Sequence, residues 1–312
     1  MFLLRCVAVL LVGVMVSVGA AQAQKRNYQA LVIGNSSYKV PLDGPANDAV
    51  DMARALKDIG FVISNASAVT NLERKAMFDQ IEAFAQNVDN DTIAVVYYSG
   101  HGIEDANKNY LVPTDAVLDS YGDVATRLVP LDHILDRMAA REARTVIVIL
   151  DACRNMPTGL KYKSLGEKGG LRALKTLNPG IRVIYAASPD QVAQAAPKGQ
   201  RNSVFTGAVL RAMKERRNAG FEDIMNRAAV ITVESTDRRQ IPYSSGTFGL
   251  AWVDSPRIEV NPLKHPSNDA ITPAKRPAKQ TAAAAAAAPC TEVSEQVTVN
   301  GTSTWQKRCI PD

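Results

Sequence analysis

The feature that most constrains the fold is a regular alternation of apolar runs and amphipathic segments between Tyr28 and Val253. The apolar runs are continuous, as in strands buried on both faces of a sheet, and the segments between them place apolar residues at helical spacing. The predicted strands are Tyr28–Gly34, Phe61–Thr70, Thr92–Ser99, Arg144–Ala152, Ile181–Ser188 and a short one near Thr247–Val253. The predicted helices are Ala46–Gly60, Leu72–Val88, Leu131–Arg141, Ser203–Arg217 and Phe221–Val233. This order predicts an α/β domain over residues 24–254, with helices on both faces of a mostly parallel sheet.

The first residues have the pattern of an export signal. Arg5 precedes an apolar core from Cys6 to Gly19, and Ala21-Gln22-Ala23 has the small-residue pattern of a cleavage site. The apolar core is shorter than the roughly 20 residues that a spanning helix needs. We therefore predict a cleaved signal peptide over residues 1–23, with an uncleaved anchor as the alternative.

The rest of the sequence contains no second apolar run long enough to span a membrane. We expect an exported mature protein, in a bacterial periplasm or in the medium, with no membrane partner once the signal is removed. The net charge of +5 is spread along the chain, without a basic stripe interleaved with aromatic residues. This pattern argues against nucleic acid as a partner.

The composition changes near the C-terminus. Residues 255–289 are rich in Pro, Ala and Lys, which is typical of a linker with nothing to bury. Residues 290–312 alternate about Asn300-Gly301, the pattern of a β-hairpin. Cys290 and Cys309 lie near its two ends, and in an oxidising compartment we expect them to form a disulfide.

Two predicted strands are followed by chemically reactive residues. His101 stands in Ser-Gly-His-Gly after one strand, and Cys153 stands just after the next. In open parallel sheets ligands bind beyond the carboxyl ends of the strands, so neighbouring strands would bring the imidazole beside the thiol. That pair is what a cysteine nucleophile needs. The N–H groups of Gly102 and Cys153 would then bind the oxyanion of a tetrahedral intermediate, while Gly100 and Gly102 would let the chain turn sharply.

Together these motifs resemble those of the caspase–metacaspase group of cysteine peptidases. In that group a His-Gly follows one strand and a Cys follows about 50 residues later; here His101 precedes Cys153 by 52 positions. The resemblance runs from about Lys25 to Val253 and includes the segments RNSVFTGAVL and QIPYSS. It implies a caspase-like three-layer sandwich with a mostly parallel six-stranded sheet, His101 as the general base and Cys153 as the nucleophile.

The residues around the motifs resemble the metacaspase and bacterial orthocaspase branch. Caspases read Q-A-C-R-G around the cysteine, whereas this chain reads D-A-C-R-N. Asp151, two residues before the cysteine, and Ser99, two before the histidine, match pocket residues of metacaspases, and Asp48 matches a second pocket acid. The resemblance implies protein or peptide substrates with Arg or Lys before the cut, because paired carboxylates bind a guanidinium fork.

Each of these residues also has a plainer interpretation. Cys153 fits an inert buried thiol, and His101 fits a turn residue; the two alone are too few to form a metal site. Asp48 fits the first turn of a helix, where the helix dipole favours acids. Asp151 fits a cap on backbone donors, and Ser99 fits a small turn residue.

Calcium dependence is a property of many metacaspases, through aspartates downstream of the histidine. Asp115 and Asp132 lie in the matching regions, but the sequence Leu131-Asp132-His133 lacks one acid of the expected pair. Because a hard cation takes six or more oxygen ligands, the sequence favours calcium independence. We predict no cofactor and no metal site.

The sequence leaves three candidate functions. The first is a cysteine endopeptidase that cuts itself in the loop after the cysteine, as family members often do, at the basic residues Lys161, Lys163, Lys168, Arg172 or Lys175. The alternative is a catalytically inactive caspase-like binding module of the cell envelope. A peptide ligase that uses the same dyad is the third.

Overall fold

The computed structural model describes residues 27–120, 122–153, 171–172, 174, 178–189, 191–217, 219–246, 290–299 and 302–311. The chain divides into two units, Met1–Leu263 and Lys264–Asp312. The strands of the first unit are β1 Asn27–Gly34, β2 Val62–Ile63, β3 Val69–Thr70, β4 Thr92–Asp105, β5 Lys108–Leu111, β6 Val129–Pro130, β7 Thr145–Cys153, β8 Ile181–Tyr185 and β9 Tyr243–Ser245. Its helices are α1 Pro45–Asp58, α2 Arg74–Ala85, α3 Asp123–Arg127, α4 Leu131–Ala140, α5 Val204–Glu215 and α6 Phe221–Ser235.

The main sheet has the strand order β2-β1-β4-β7-β8-β9. Its strands are parallel except β9, which runs antiparallel to β8. The predicted mostly parallel sheet is therefore confirmed; six strands lie along this path, and β3, β5 and β6 pair beside it within the described residues. The three central strands β1, β4 and β7 are the continuous apolar runs of the sequence, and they are buried because helices cover both faces.

Alternate side chains of the central strands enter two separate cores. Val32, Val95, Tyr97 and Ile149 pack with apolar residues of α1, α5 and α6 on one face. Leu31, Val96, Tyr98 and Leu150 pack with α2 and α4 on the other. This division follows from the two-residue period of a strand and produces the three-layer arrangement.

The packing of α1 on β1 depends on Gly34. A Cβ at this position would lie 2.3 Å from the carbonyl oxygen of Pro45 and 2.6 Å from Cβ of Ala49. Those distances are below any real carbon contact, so only glycine lets the helix approach this closely. The approach brings the first turn of α1, which carries Asp48, to the carboxyl end of the sheet.

The segment Phe61–Thr70, predicted as one strand, forms the two short strands β2 and β3. Between them Asn65 and Ala66 adopt positive φ values of 57° and 61°. A strand cannot continue through the left-handed region. Both short strands pair with β1, β2 at Gln29 and Ala30 and β3 at Ile33 and Gly34.

The prediction that the chain turns sharply after Ser99 is wrong. Strand β4 continues through His101 to Asp105 and pairs with the antiparallel strand β5, which pairs with β6. The turn lies instead at Ala106 and Asn107, both with positive φ. The sequence analysis missed β5, β6 and α3 because each is too short to show a period.

The second unit contains the antiparallel hairpin of β10 Cys290–Val299 and β11 Thr302–Pro311, as the sequence pattern predicts. Its register places Cys290 opposite Pro311 and Cys309 opposite Glu292. The disulfide stays a prediction, because only the backbone of this hairpin is described. The signal peptide 1–23, the linker 255–289 and the predicted strand Thr247–Val253 lie outside the described residues.

Among the described residues, no helix combines the length and the apolar character needed to cross a membrane.

Candidate active site

The sheet register brings the two reactive motifs together. In the parallel pairing of β4 with β7, His101 is the partner of Cys153 and Ser99 is the partner of Asp151. Residues 52 positions apart in sequence thus occupy adjacent positions on neighbouring strands. The pairing is what the two strand-end motifs predict, although the strands end later than expected.

A buried pair of tyrosines holds the backbone of His101. The ring of Tyr38 lies 4.5 Å, centroid to centroid, from the imidazole. Its Oη accepts a hydrogen bond of 3.0 Å from the His101 N–H and donates one of 3.1 Å to the carbonyl of Val112. Tyr98 Oη donates a hydrogen bond of 2.8 Å to the carbonyl of His101. Burial raises the pKa of Tyr98 well above its ordinary value, so its phenol stays a donor at neutral pH.

Gly100 is required by these phenols rather than by a turn. A Cβ at Gly100 would lie 2.6 Å from Oη of Tyr38 and 2.6 Å from Oη of Tyr98. Its φ of +157° is also one that side chains rarely adopt. The glycine therefore allows two hydroxyl groups to close over the strand immediately before His101.

Gly102 has a different reason to lack a side chain. A Cβ there would lie 3.0 Å from Cδ2 of Leu171 and 3.1 Å from Cβ of Ala152. The carbonyl of His101 accepts a hydrogen bond of 3.0 Å from the N–H of Val112. The backbone of His101 therefore faces the side of β4 on which β5 lies. Since successive N–H groups of a strand alternate between its two edges, the N–H of Gly102 faces the side on which β7 ends.

Three buried polar residues that the sequence predicted as a pocket also come together. Asp48, Ser99 and Asp151 are 1%, 2% and 4% exposed. Ser99 Oγ donates a hydrogen bond of 3.2 Å to Oδ2 of Asp48. Ser99 of β4 and Asp151 of β7 are partners in the sheet register, and Asp48 comes from the first turn of α1.

Two residues of α5 complete this cluster. The N–H of Ser203 donates a hydrogen bond of 3.0 Å to Oδ1 of Asp48, and its hydroxyl donates to Oδ2 of Asp151. Thr206 Oγ1 donates to the same oxygen of Asp151 at 2.6 Å and lies 2.5 Å from Oη of Tyr97. Ser203 is also the N-cap of α5, since its Oγ accepts from the N–H of Thr206 at 3.0 Å.

The sequence analysis missed Ser203 and Thr206 as site residues. A serine just before an amphipathic run is a recognisable N-cap signal, so the cap itself was predictable. Its contacts with Asp48 and Asp151 bridge more than 150 and 50 residues respectively, and no local pattern encodes them.

The acid cluster is electrostatically unusual. Burial, and then the nearby charge of Asp151, raise the pKa of Asp48 to about 7, although hydrogen bonds from Ser203, Asn202 and Ser99 oppose the shift. Burial also raises the pKa of Asp151, against hydrogen bonds from Ser203 and Thr206. Two adjacent carboxyl groups with raised pKa values are both destabilised as anions, and a nearby positive charge would favour their ionised forms.

The two residues considered for calcium belong to different parts of the fold. Asp115 Oδ1 accepts a hydrogen bond of 2.9 Å from the N–H of Arg74, and Asp132 lies in the first turn of α4. Within the described part of the chain, no group of three or more His, Cys, Asp or Glu residues could hold a metal ion. Calcium independence stays a prediction.

Residues 28–248 match the family model of the caspase domain. The chain is 28% identical over 189 residues to the mucosa-associated lymphoid tissue lymphoma translocation protein 1 homolog of Mus musculus. It is 27% identical over 189 residues to the Homo sapiens protein of that name. Each match covers 60% of this chain and 21% of the relative, so the chain spans about a fifth of these curated relatives.

A solved structure supports the fold independently. The crystal structure of a Geobacter sulfurreducens protein is similar with a TM-score of 0.54 at 20% identity, over 72% of this chain and 96% of that one.

Proposed function

Because the chain belongs to the caspase domain family, we propose that it is a cysteine endopeptidase that cuts after Arg or Lys. The observation that supports this most directly is the register of β4 and β7, in which His101 and Cys153 are partners. A base and a nucleophile carried by adjacent positions of two paired strands are brought together by the sheet itself.

The reaction follows from that pair. His101 removes the proton of the Cys153 thiol, and the thiolate attacks the carbonyl carbon of the scissile bond. The N–H groups of Gly102 and Cys153 stabilise the oxyanion. His101 then delivers its proton to the leaving amine, which departs and leaves a thioester. Water, deprotonated by His101, hydrolyses the thioester and restores the thiol.

The specificity for a basic residue rests on Asp48, Ser99 and Asp151. Their burial and their raised carboxyl pKa values favour a cation in the site. A guanidinium or ammonium of the substrate would bind there by charge-assisted hydrogen bonds and would lower the pKa of both acids. An acidic residue before the cut would add a third buried negative charge and would be rejected.

Self-processing is part of the proposal. Lys161, Lys163, Lys168 and Lys175 in the segment after Cys153 lie outside the described residues, whereas Arg172 is described. The segment is polar, rich in lysine and directly follows Cys153 in the sequence. The acidic pocket proposed above would bind its basic side chains, so we expect it to be the enzyme's first substrate. We further propose that the mature protein is exported, to the periplasm or the medium, and needs no metal or other cofactor.

The experiment uses the chain from Gln24 onward and fluorogenic peptides that differ only in the residue before the cut: Arg, Lys or Asp. Cleavage after Arg or Lys that is lost in Cys153→Ala supports both the dyad and the pocket. Cleavage after Asp keeps the dyad and overturns the roles of Asp48 and Asp151. Parallel assays with calcium and with a chelator test calcium independence.

If no peptide is cleaved under any condition, including after nicking of the loop, the peptidase proposal fails and the binding module takes its place. A ligase would instead be recognised by transfer of the acyl group to an added amine acceptor. Mass spectrometry of the products separates transfer from hydrolysis.

A further inference from the structure

Asn109 binds the backbone of Arg172, a residue that follows Cys153 in the sequence. Asn109 lies in β5 and is fully buried. Its Oδ1 accepts a hydrogen bond of 2.7 Å from the N–H of Arg172, and its Nδ2 donates one of 2.7 Å to the carbonyl of the same residue. A side-chain amide thus satisfies both backbone groups of a residue 63 positions away, much as a neighbouring strand would.

Tyr185 of β8 supports this two-point contact. Its Oη lies 3.5 Å from Nδ2 of Asn109 as an acceptor and also takes a backbone hydrogen bond from Leu174. Burial raises the pKa of Tyr185, so the hydroxyl is neutral at physiological pH. Asn109 and Tyr185 together hold Arg172 and Leu174, and we refer to the pair as the amide clamp.

The clamp fixes Leu171 against the parts of β4 and β7 that carry the dyad. Leu171 is 6% exposed and belongs to the apolar core of the α2 and α4 face. Its side chain sits over the space that a Cβ at Gly102 would need, beside Ala152. Gly102 follows His101 in sequence, and Ala152 precedes Cys153.

We propose that Asn109 is a positioning residue of the peptidase reaction. By seating Leu171 on Gly102 and Ala152, it holds the backbone beside His101 and Cys153 and keeps the Gly102 N–H in place for the oxyanion. The proposal rests on the peptidase function proposed above. It also has a consequence for self-processing. A peptide bond must lie extended in an active site to be cut, so the bond after Arg172, whose backbone is held by the clamp, is protected.

The kinetic test compares Asn109→Ala and Asn109→Asp with Asn107→Asp, a control at the exposed turn of the same hairpin. Asp keeps the shape of Asn and one acceptor but replaces the donor to the Arg172 carbonyl with an oxygen. We expect kcat to fall roughly 10- to 100-fold in both Asn109 variants, with KM changed by less than about threefold. The control should keep the wild-type kcat.

A double-mutant cycle asks whether Asn109 acts through Leu171. If it does, Leu171→Ala and Asn109→Ala combined should cost no more in kcat than the larger single effect. Additive losses would overturn the proposal. So would a folded Asn109→Ala enzyme with unchanged kcat, foldedness being checked by circular dichroism and thermal unfolding.

Limited proteolysis with trypsin tests the clamp without relying on the enzyme's own activity. In the Cys153→Ala background, cutting after Arg172 should be slow, and Asn109→Asp should accelerate it at least about tenfold. An equal rate in both proteins would overturn the clamp. Wild type that cleaves no peptide while Arg172 is protected would mean that the peptidase proposal has failed and that the clamp is only structural.

Discussion

Asp48 and Asp151 are joined through a single residue, Ser203, which donates its backbone N–H to the first carboxylate and its hydroxyl to the second. The other donors that reach them within the described residues, Ser99, Asn202 and Thr206, are neutral. Neutral donors orient a carboxylate but do not balance its charge. These donors therefore orient the pair without balancing its charge, as the proposed binding of a basic substrate side chain requires.

Asp48→Asn should stabilise the protein at alkaline pH. The folded-state pKa of Asp48, about 7 against an ordinary 3.8, means that the folded protein binds more protons than the unfolded chain between those values. The stability from this carboxyl is therefore complete below about pH 4 and is lost as the pH rises through 7. We expect the variant to gain on the order of 1–4 kcal/mol in unfolding free energy at pH 8 and much less at pH 5.

Urea unfolding at both pH values, in the Cys153→Ala background, measures this gain. Asp51→Asn serves as the matched control on the same helix. Burial tends to raise the pKa of Asp51, but hydrogen bonds from Arg201 and Asn202 lower it overall, so its removal should destabilise. A gain for Asp48→Asn that is equal at pH 5 and pH 8 would contradict the titration.

The affinity for a basic substrate should depend on the same titration. Because a guanidinium binds the ionised carboxylates, KM for an Arg peptide should fall several-fold between pH 6 and pH 8. Asp48→Asn should raise KM at pH 8 and flatten its pH dependence. Steady-state kinetics on the Arg peptide over this pH range measure KM for the wild type and for Asp48→Asn. A pH-independent KM in the wild type would show that substrate affinity is not linked to the titration of Asp48.

The central sheet was predictable because β1, β4 and β7 are unbroken apolar runs, and buried parallel strands have no other local signature. The meeting of His101 with Cys153 was predictable for the same reason, since each follows such a run and parallel strands end on one rim. Asp48 was predicted only by resemblance; its burial depends on Gly34, whose packing against α1 no periodicity reveals.

What the sequence did not predict consists of contacts between side chains and distant backbone. Tyr38 and Tyr98 both reach the carbonyl of Val112, which the hairpin of β4 and β5 brings near, and Asn109 of that hairpin binds the backbone of Arg172. That hairpin was missed because β5 has four residues, too few to show an alternation. Once the hairpin was missed, neither the support of His101 nor the amide clamp could be inferred.

Tyr38→Phe should slow catalysis without weakening substrate binding. The change keeps the ring beside the imidazole but removes the hydroxyl that accepts from the His101 N–H and donates to Val112. A buried N–H without its acceptor costs roughly 1–3 kcal/mol, so His101 should become less well held. We expect kcat to fall about tenfold with little change in KM. Tyr110→Phe, in the same apolar cluster, is the control, and equal kcat values for the two variants would contradict a role for the Tyr38 hydroxyl.

Gly100→Ala should destabilise the fold by steric conflict with the two phenols. The new Cβ would lie 2.6 Å from Oη of both Tyr38 and Tyr98, and we expect a loss of more than about 3 kcal/mol in unfolding free energy. Gly60→Ala separates the backbone cost from the clash, because Gly60 also has a positive φ, +104°, but nothing within 4 Å of its Cβ position. That control should lose only about 1–2 kcal/mol.

Adding Tyr38→Phe to Gly100→Ala removes one of the clashing oxygens, so the double variant should lose less than the sum of the single losses. Urea unfolding of the wild type, the three single variants and the double variant measures these losses. If the losses of Gly100→Ala and Tyr38→Phe add strictly in the double variant, or if Gly100→Ala and Gly60→Ala lose equally, the phenols are not what requires glycine before His101.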